Sequence, residues 1–159
     1  MRKLFILKLL LPLYFIFLWS VTGCYSQKVK PTYFEKYRSL ADSLSKEYGI
    51  PVGVILSVAY LESGSGTSLA AKKLNNHFGI VGDCKYGISK HKSKYKYYST
   101  VQESYIGFCN LVKNRKFYES LLGNEEERIW FKKIAASGYA ADAIKWSNAC
   151  IEICKKIFE

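Results

Sequence analysis

The most constraining feature of the sequence is an apolar run that ends in a single carboxylate. The run IPVGVILSVA occupies residues 50–59, and Glu62 follows within YLESGSG at 60–66. Pro51 suits the first turn of a helix, and the run has almost no polar face, so we predict a central, buried helix over about 51–62. Burial disfavours the charged form of a carboxyl group. We therefore expect Glu62 to stay protonated closer to neutral pH than an ordinary glutamate.

Two interpretations of Glu62 follow from this position. A protonated glutamate beside a cleft can hand its proton to a leaving oxygen, as the general acid of a glycoside hydrolase does. A glutamate at a helix end can also be solvated and without a chemical role, because perturbed carboxylates occur in purely structural settings. The position of the residue does not decide between the two.

The rest of the chain predicts a mostly α-helical protein. Residues 32–48 place apolar side chains at steps of three and four, which is typical of an amphipathic helix that Gly49 ends. SLAAKKL, at 68–74, predicts a short helix. The segment 81–98 is rich in Gly, Lys and Tyr and has no helical period, so we predict a small irregular or β-like flap.

Cap residues divide the second half of the chain. TVQE, at 100–103, is a capping box that opens a helix, and Asn124 with Glu127 forms a second candidate box. Gly138 is expected to stop the helix that follows, and Asp142 to cap the last one.

The N-terminus carries export signals. A basic start and an apolar stretch over residues 1–23 predict a secretory signal peptide. VTGC, at 21–24, resembles a bacterial lipobox, so we expect Cys24 to be lipidated and to anchor the protein in the membrane. An uncleaved signal anchor is the alternative. Residues 24–31 would form a tether and 32–159 the catalytic domain of an exported, membrane-anchored lipoprotein of the cell envelope.

The charge favours an anionic partner. Without residues 1–23 the chain loses three basic residues and no acid, so the formal net charge falls from +11 to +8. Bacterial cell wall, with its peptide carboxylates, fits both the charge and the exported location. We expect no nucleic-acid partner, because no basic-aromatic recognition motif is present.

Cysteine and histidine spacing gives no metal site. Four cysteines follow Cys24: Cys84, Cys109, Cys150 and Cys154. An exported protein can oxidise them to disulfides in three possible pairings, and the sequence does not choose among these. His77 and His91 show no familiar ligand spacing, so we expect no metal and no cofactor.

Three motifs, in order, resemble one family. GIPVGVILSVAYLESGSGTSLAAKKLNNHFGI (49–80), KYKYYSTVQES (94–104) and GYAAD (138–142) are similar to the core of bacterial cell-wall glucosaminidases, which include flagellar and autolysin-type domains. The resemblance spans about 33–157. It implies a lysozyme-like helical domain in which the flap forms one wall of a cleft. Glu62 matches the catalytic acid of that family, and Tyr139 matches an aromatic residue expected near the reacting sugar.

The resemblance also suggests substrate-binding residues and shows departures. Asn75 and Asn76 could bind sugar amides or hold the turn, and Tyr98 and Asp83 are further candidates. The flap has no glutamate, its one acid being Asp83, while Gly107 and Ala141 stand where family members often have Asp and Thr. A second catalytic carboxylate is therefore not assured. Substrate-assisted hydrolysis does without one, because the 2-acetamido oxygen of GlcNAc can attack its own anomeric carbon.

These features predict a peptidoglycan hydrolase that binds glycan strands and cleaves the β-1,4 bond after GlcNAc. A lytic transglycosylase and a non-catalytic peptidoglycan-binding lipoprotein are the alternatives.

Overall fold

A computed structural model describes residues 32–82 and 93–158 of the chain. The predicted signal peptide, Cys24, the tether and Asp83 lie outside the described residues. Six α-helices make up most of the described part: α1 (Tyr33–Tyr48), α2 (Val52–Ser63), α3 (Leu69–Leu74), α4 (Val101–Lys113), α5 (Glu127–Ile134) and α6 (Ala143–Lys155). A 3-10 turn at Glu119–Leu121 precedes α5, and a π turn at Ala135–Tyr139 follows it. The prediction of a mostly α-helical domain is confirmed.

Helix α2 forms the centre of the fold. Its residues from Gly53 to Ala59 are all buried, and it packs between α1 and α6. Gly53 allows the close approach of α6, because a Cβ atom at this position would lie 2.7 Å from Sγ of Cys154. Burial on all sides explains the missing polar face, since each buried aliphatic side chain stabilises the fold by about 1.5–3 kcal/mol. The predicted buried helix is confirmed.

Local chemistry sets most helix ends where the sequence predicts them. Gly49 follows α1 with φ of +63° and donates its N–H to the carbonyl of Ser45. Pro51 occupies the cap position directly before α2 rather than its first turn. Gly138, at φ of +84°, ends the π turn after α5, and the side chain of Asp142 accepts the N–H of Lys145 to cap α6.

The two capping boxes predicted from the sequence are not bonded in the structure as expected. Oγ1 of Thr100 accepts the N–H of Glu103 as expected, but the Glu103 carboxylate binds the N–H and hydroxyl of Ser99. Asn124 does not cap α5, so the second predicted box is wrong. Its Oδ1 instead accepts the N–H of Glu126 at 2.8 Å, a local turn that comes before the helix.

The flap rests on a short antiparallel ribbon. The N–H of Gly82 binds the carbonyl of Lys94 at 3.1 Å, and the N–H of Lys96 binds the carbonyl of Ile80 at 2.8 Å. These bonds flank an antiparallel bridge between Val81 and Tyr95. The prediction of a β-like flap is confirmed at its described base, which lies beside α3.

Cys109, Cys150 and Cys154 are free and buried, so none of the three pairs with another of them. Cys84 lies outside the described residues. No helix of the described part is long and apolar enough to cross a membrane.

Candidate active site

Glu62 lies at the edge of an open cleft of about 430 Å³. It belongs to the last turn of α2, which stops because Gly64 adopts a left-handed conformation with φ of +54°. The cleft is built from the end of α2, the segment after the π turn and the first turns of α6. Its lining is Leu61, Glu62, Tyr139, Ala140, Ala141, Asp142, Lys145, Trp146 and Ala149. The Glu62 side chain is therefore half-buried while it borders open space.

Trp146 holds one oxygen of the Glu62 carboxyl group. Its Nε1 donates a hydrogen bond of 2.6 Å to Oε1 of Glu62. The Asp142 cap starts α6 one turn earlier, and the indole ring packs against Tyr139 with ring centroids 5.3 Å apart. An indole N–H is only a donor, so Oε1 must act as an acceptor. The carbonyl oxygen of a neutral carboxyl group is its stronger acceptor, so we expect the proton of neutral Glu62 on Oε2.

The surroundings of Glu62 act on its acidity in opposite directions. Burial raises the pKa of the Glu62 carboxyl, and the hydrogen bond from Trp146 lowers it by a smaller amount. The net effect is a pKa above that of an ordinary glutamate. This confirms the acidity that the apolar run predicts, since desolvation penalises the carboxylate more than one donor compensates.

Gly79 provides space beside the other carboxyl oxygen. A Cβ atom at this position would lie 3.2 Å from Oε2 of Glu62 and 4.0 Å from Cε1 of Tyr95. The backbone at Gly79 has φ of +62°, which side chains of L-residues rarely adopt. Glycine therefore keeps both the turn and the room around Oε2, at the point where the ribbon approaches α2.

Tyr139 shares the cleft with Glu62, but its hydroxyl is already bound. The phenol donates a hydrogen bond of 2.8 Å to the carbonyl of Phe78. Its ring contacts Phe108 edge to face, with ring centroids 5.9 Å apart. Burial raises the pKa of Tyr139 well above its ordinary value, so the phenol is neutral. A contact between Tyr139 and a sugar stays a prediction.

Asp142 is the other acid that lines the cleft. It is exposed, and its Oδ1 accepts the N–H of Lys145 at 2.9 Å as the cap of α6. The capping role is confirmed. The second carboxylate oxygen is not used by the cap, so Asp142 can also face a ligand in the cleft. In the described part of the chain, no group of three or more His, Cys, Asp or Glu could hold a metal ion.

Residues 31–159 match the glucosaminidase family, described as mannosyl-glycoprotein endo-beta-N-acetylglucosaminidase. The chain belongs to the glucosaminidase family. This confirms the family that the three motifs suggest, and with it a glycoside hydrolase with a lysozyme-like fold. No curated protein sequence matches the chain.

Solved structures share the fold of this chain at low sequence identity. The glycoside hydrolase domain of FlgJ from Salmonella typhimurium is 20% identical, with a TM-score of 0.61 over 79% of this chain and 86% of that one. The catalytic domain of the autolysin Auto from Listeria monocytogenes is 20% identical, with a TM-score of 0.63 over 84% and 89%. A peptidoglycan hydrolase from Sphingomonas sp. A1 is 19% identical, with a TM-score of 0.58 over 77% and 88%.

The segment NNHFGI, residues 75–80 of the first motif, is held by hydrogen bonds of Asn76 within the protein. The Asn76 side chain is fully buried, and its Nδ2 donates to the carbonyls of Ile80 and Lys96, both at 2.8 Å. Its Oδ1 accepts the N–H groups of Phe78 at 3.3 Å and Ile80 at 3.1 Å. Both donor hydrogens and the acceptor oxygen of the amide are therefore used inside the protein. Of the two roles that the sequence leaves open for Asn76, these hydrogen bonds support holding the turn and not binding a sugar.

Asn75 and Tyr98 also support the flap. Asn75 ends α3 at φ of +52°, and its Nδ2 donates to the carbonyls of Tyr98 at 2.9 Å and Ser99 at 3.1 Å. Tyr98 is 5% exposed and packs on Gly107, where a Cβ atom would lie 2.6 Å from its hydroxyl oxygen. Tyr98 therefore packs the flap against α4, and a sugar contact by Tyr98 stays a prediction. For Asn75, a sugar contact stays a prediction.

Sequence reasoning missed Trp146 and Asp142 as site residues. Trp146 is recognisable in the sequence only as part of the apolar face of α6, and Asp142 only as a cap. The one sequence signal is the last of the three family motifs, GYAAD, because Asp142 is its final residue and Trp146 follows four positions later.

Proposed function

We propose that this protein is a peptidoglycan hydrolase, an endo-β-N-acetylglucosaminidase that cleaves the β-1,4 bond on the reducing side of GlcNAc. The single observation that carries the proposal is Glu62, a carboxyl group with a raised pKa that borders an open cleft. Membership of the glucosaminidase family supports GlcNAc as the sugar. The similarity to a peptidoglycan hydrolase supports the polymer.

Glu62 is proposed to act as the general acid. Its proton on Oε2 passes to the glycosidic oxygen, the bond from that oxygen to the anomeric carbon breaks, and the leaving sugar departs as an alcohol. Glu62 becomes a carboxylate in this step. The Trp146 N–H bond then becomes charge-assisted and stronger. Trp146 therefore stabilises the state toward which the reaction moves, which lowers the barrier more than it stabilises bound substrate.

The nucleophile is proposed to be the substrate itself. The acetamide oxygen of GlcNAc attacks the anomeric carbon, and water then opens the cyclic intermediate while Glu62 takes up the proton. A carboxylate that orients the amide or the water would assist. Asp142 lines the cleft and is the first candidate for this role, and Asp83 is the second. Tyr139 commits its proton to the carbonyl of Phe78, so toward a sugar its oxygen acts as an acceptor, which suits a cationic centre.

We expect the protein to be located in the cell envelope, anchored to the membrane by a lipid on Cys24. This rests on the signal peptide and lipobox of the sequence. Mass spectrometry of the protein purified from membranes should find a chain that begins at Cys24 and carries the added mass of acyl chains. A chain that still contains residues 1–23 and carries no acyl chain would favour an uncleaved signal anchor.

Mass spectrometry of fragments from digested peptidoglycan tests the reaction. The full-length protein in detergent should release fragments with a reducing GlcNAc end. An anhydro-muramyl end would instead identify a lytic transglycosylase. Binding to sacculi without released fragments, even at high protein concentration, would identify a wall-binding lipoprotein.

Two variants test the residues. Glu62→Gln keeps the shape and an acceptor for Trp146 but loses the proton, so it should lose at least about a hundredfold in rate. Normal turnover by this variant would exclude Glu62 as the acid. Asp142→Asn keeps the helix cap, because asparagine caps as well as aspartate. A lower rate with unchanged stability would therefore assign chemistry to the Asp142 carboxylate, and unchanged activity would remove it from the scheme.

A further inference from the structure

Positive charge is concentrated on one part of the molecule. We define the flap lobe as residues 64–82 and 93–102, which comprise α3, the ribbon and the chain that joins them to α4. The described residues include sixteen basic and eleven acidic side chains. The flap lobe has four of the basic ones, Lys72, Lys73, Lys94 and Lys96, and none of the acids. Four of the five excess positive charges therefore lie on this lobe, and the remainder is nearly neutral.

The four lysines are exposed, and none of them has an acidic partner within ion-pair distance among residues 32–82 and 93–158. The two ion pairs of the described residues are Arg38 with Asp42 and Lys155 with Glu152, both outside the flap lobe. Glu103, the first acid after the lobe, is bound by the N–H and hydroxyl of Ser99 at 2.9 and 2.7 Å. Among the described residues, Glu103 interacts electrostatically with Lys96 but forms no ion pair with it, so most of the lobe's positive charge remains uncompensated.

The ribbon that carries Lys94 and Lys96 approaches Glu62 through Gly79 and Tyr95. Cε1 of Tyr95 lies 4.0 Å, and Oε2 of Glu62 3.2 Å, from the position that a Cβ atom on Gly79 would take. Nζ of Lys94 lies 5.3 Å from the centroid of the Tyr95 ring. Nζ of Lys96 lies over the ring of Tyr98 at 5.1 Å. Cation–π contacts of this kind hold an ammonium group near a ring while it stays exposed.

The need to stabilise a helix end explains only two of the four lysines of the flap lobe. Lys72 and Lys73 lie in the last turn of α3, where positive charge is favourable because it interacts with the helix dipole. Lys94 and Lys96 lie on the ribbon, where no helix end can account for them. Lysine is also a flexible point charge, and it suits anionic groups whose positions vary from one ligand molecule to the next.

We propose that the flap lobe binds the carboxylates of the peptides attached to the glycan strand. The inference rests on the proposed function, because peptidoglycan has acidic peptides on the sugar next to GlcNAc. A strand that places its β-1,4 bond at Glu62 would bring such a peptide toward the ribbon, which approaches Glu62 at Gly79 and Tyr95. The lobe then selects strands that carry acidic peptides over bare glycan, and it does so through charge, which salt screens.

Binding to purified sacculi tests the proposal. Full-length Glu62→Gln in detergent serves as the parent, because hydrolysis would otherwise alter the sacculi during the measurement. The lobe variant is Lys72→Gln, Lys73→Gln, Lys94→Gln and Lys96→Gln combined. The matched control is Lys113→Gln, Lys116→Gln, Lys132→Gln and Lys133→Gln, which removes the same charge from exposed lysines outside the flap lobe. Its Lys132 and Lys133 also form an adjacent pair in the last turn of a short helix.

The lobe variant should bind native sacculi about tenfold more weakly at low salt, and the control less than twofold. On sacculi whose carboxylates have been converted to amides, parent and lobe variant should bind equally. Equal binding to native sacculi, or an equal loss for the control, would overturn the proposal. So would a loss that persists on amidated sacculi. If the lobe variant instead loses only its binding to phosphatidylglycerol vesicles, the surface faces lipid and the proposal is overturned.

Fragment release by the wild-type protein is measured in parallel. Absence of fragments contradicts the proposed function, whereas fragments together with equal binding by all variants contradict only the role of the flap lobe.

Discussion

Gly79→Ala tests whether the free oxygen of Glu62 delivers the proton. The added Cβ atom would lie 3.2 Å from Oε2, so the carboxyl group must move by a few tenths of an ångström. Alanine in the left-handed conformation at φ of +62° also lowers the free energy of unfolding by about 1–2 kcal/mol. A displacement of 1 Å can cost about a hundredfold in rate, so we expect roughly a tenfold loss in kcat here.

The control for the backbone cost is Gly123→Ala. Gly123 has φ of +81°, and nothing lies within 4 Å of its Cβ position. Both variants should lose about 1–2 kcal/mol in the free energy of unfolding, measured with urea, but only Gly79→Ala should lose activity. The assay is kcat for fragment release from soluble glycan, below the temperature at which either variant unfolds. If both variants lose the same stability and both keep the wild-type kcat, Oε2 does not need this space, and its assignment as the proton donor fails.

Three further predictions concern the same site. Trp146→Phe removes the hydrogen-bond donor that favours the charged form of Glu62, so kcat should fall and the alkaline limb of the kcat/KM profile should move to higher pH. An equal loss of kcat/KM at every pH would indicate that Trp146 has a structural role alone. Glu62→Gln should raise the melting temperature at pH 7, because burial raises the pKa of Glu62 in the folded state and its ionisation above that pKa destabilises the fold. The gain should vanish as the pH falls below 4.5, the ordinary pKa of glutamate, and a gain that persists there would contradict this cause. Asn76→Ala leaves buried backbone groups unpaired and should cost about 2–4 kcal/mol in urea unfolding, which a loss under 1 kcal/mol would refute.

Much of the fold can be predicted from the sequence because its signals are local. The C-cap at Gly49, the stop at Gly138 and the cap at Asp142 each depend on contacts within four or five residues. The failure at Asn124 has the same origin. Asparagine can accept an N–H two residues ahead as readily as three ahead, and the sequence does not show which bond forms.

The site is only partly predictable because its contacts join distant residues. Glu62 and Trp146 are 84 positions apart, so the bond that fixes which oxygen holds the proton has no sequence pattern. Asn76 shows the opposite problem. An amide in a glucosaminidase motif suggests a sugar ligand, but four hydrogen bonds within the protein use it completely.

Packing explains why one expected carboxylate is missing. Gly107 stands where family members often have an aspartate, and the Tyr98 ring fills the space that its side chain would need. A Cβ atom at Gly107 would lie 2.6 Å from the Tyr98 hydroxyl oxygen and 3.1 Å from Cζ. An aspartate at this position would therefore have to displace a buried ring that closes the flap against α4, and overpacking of this kind typically costs about 1–3 kcal/mol. Tyr98 and Gly107 belong together, so any assisting carboxylate would come from another position, and within the described residues Asp142 is the acid that shares the cleft with Glu62.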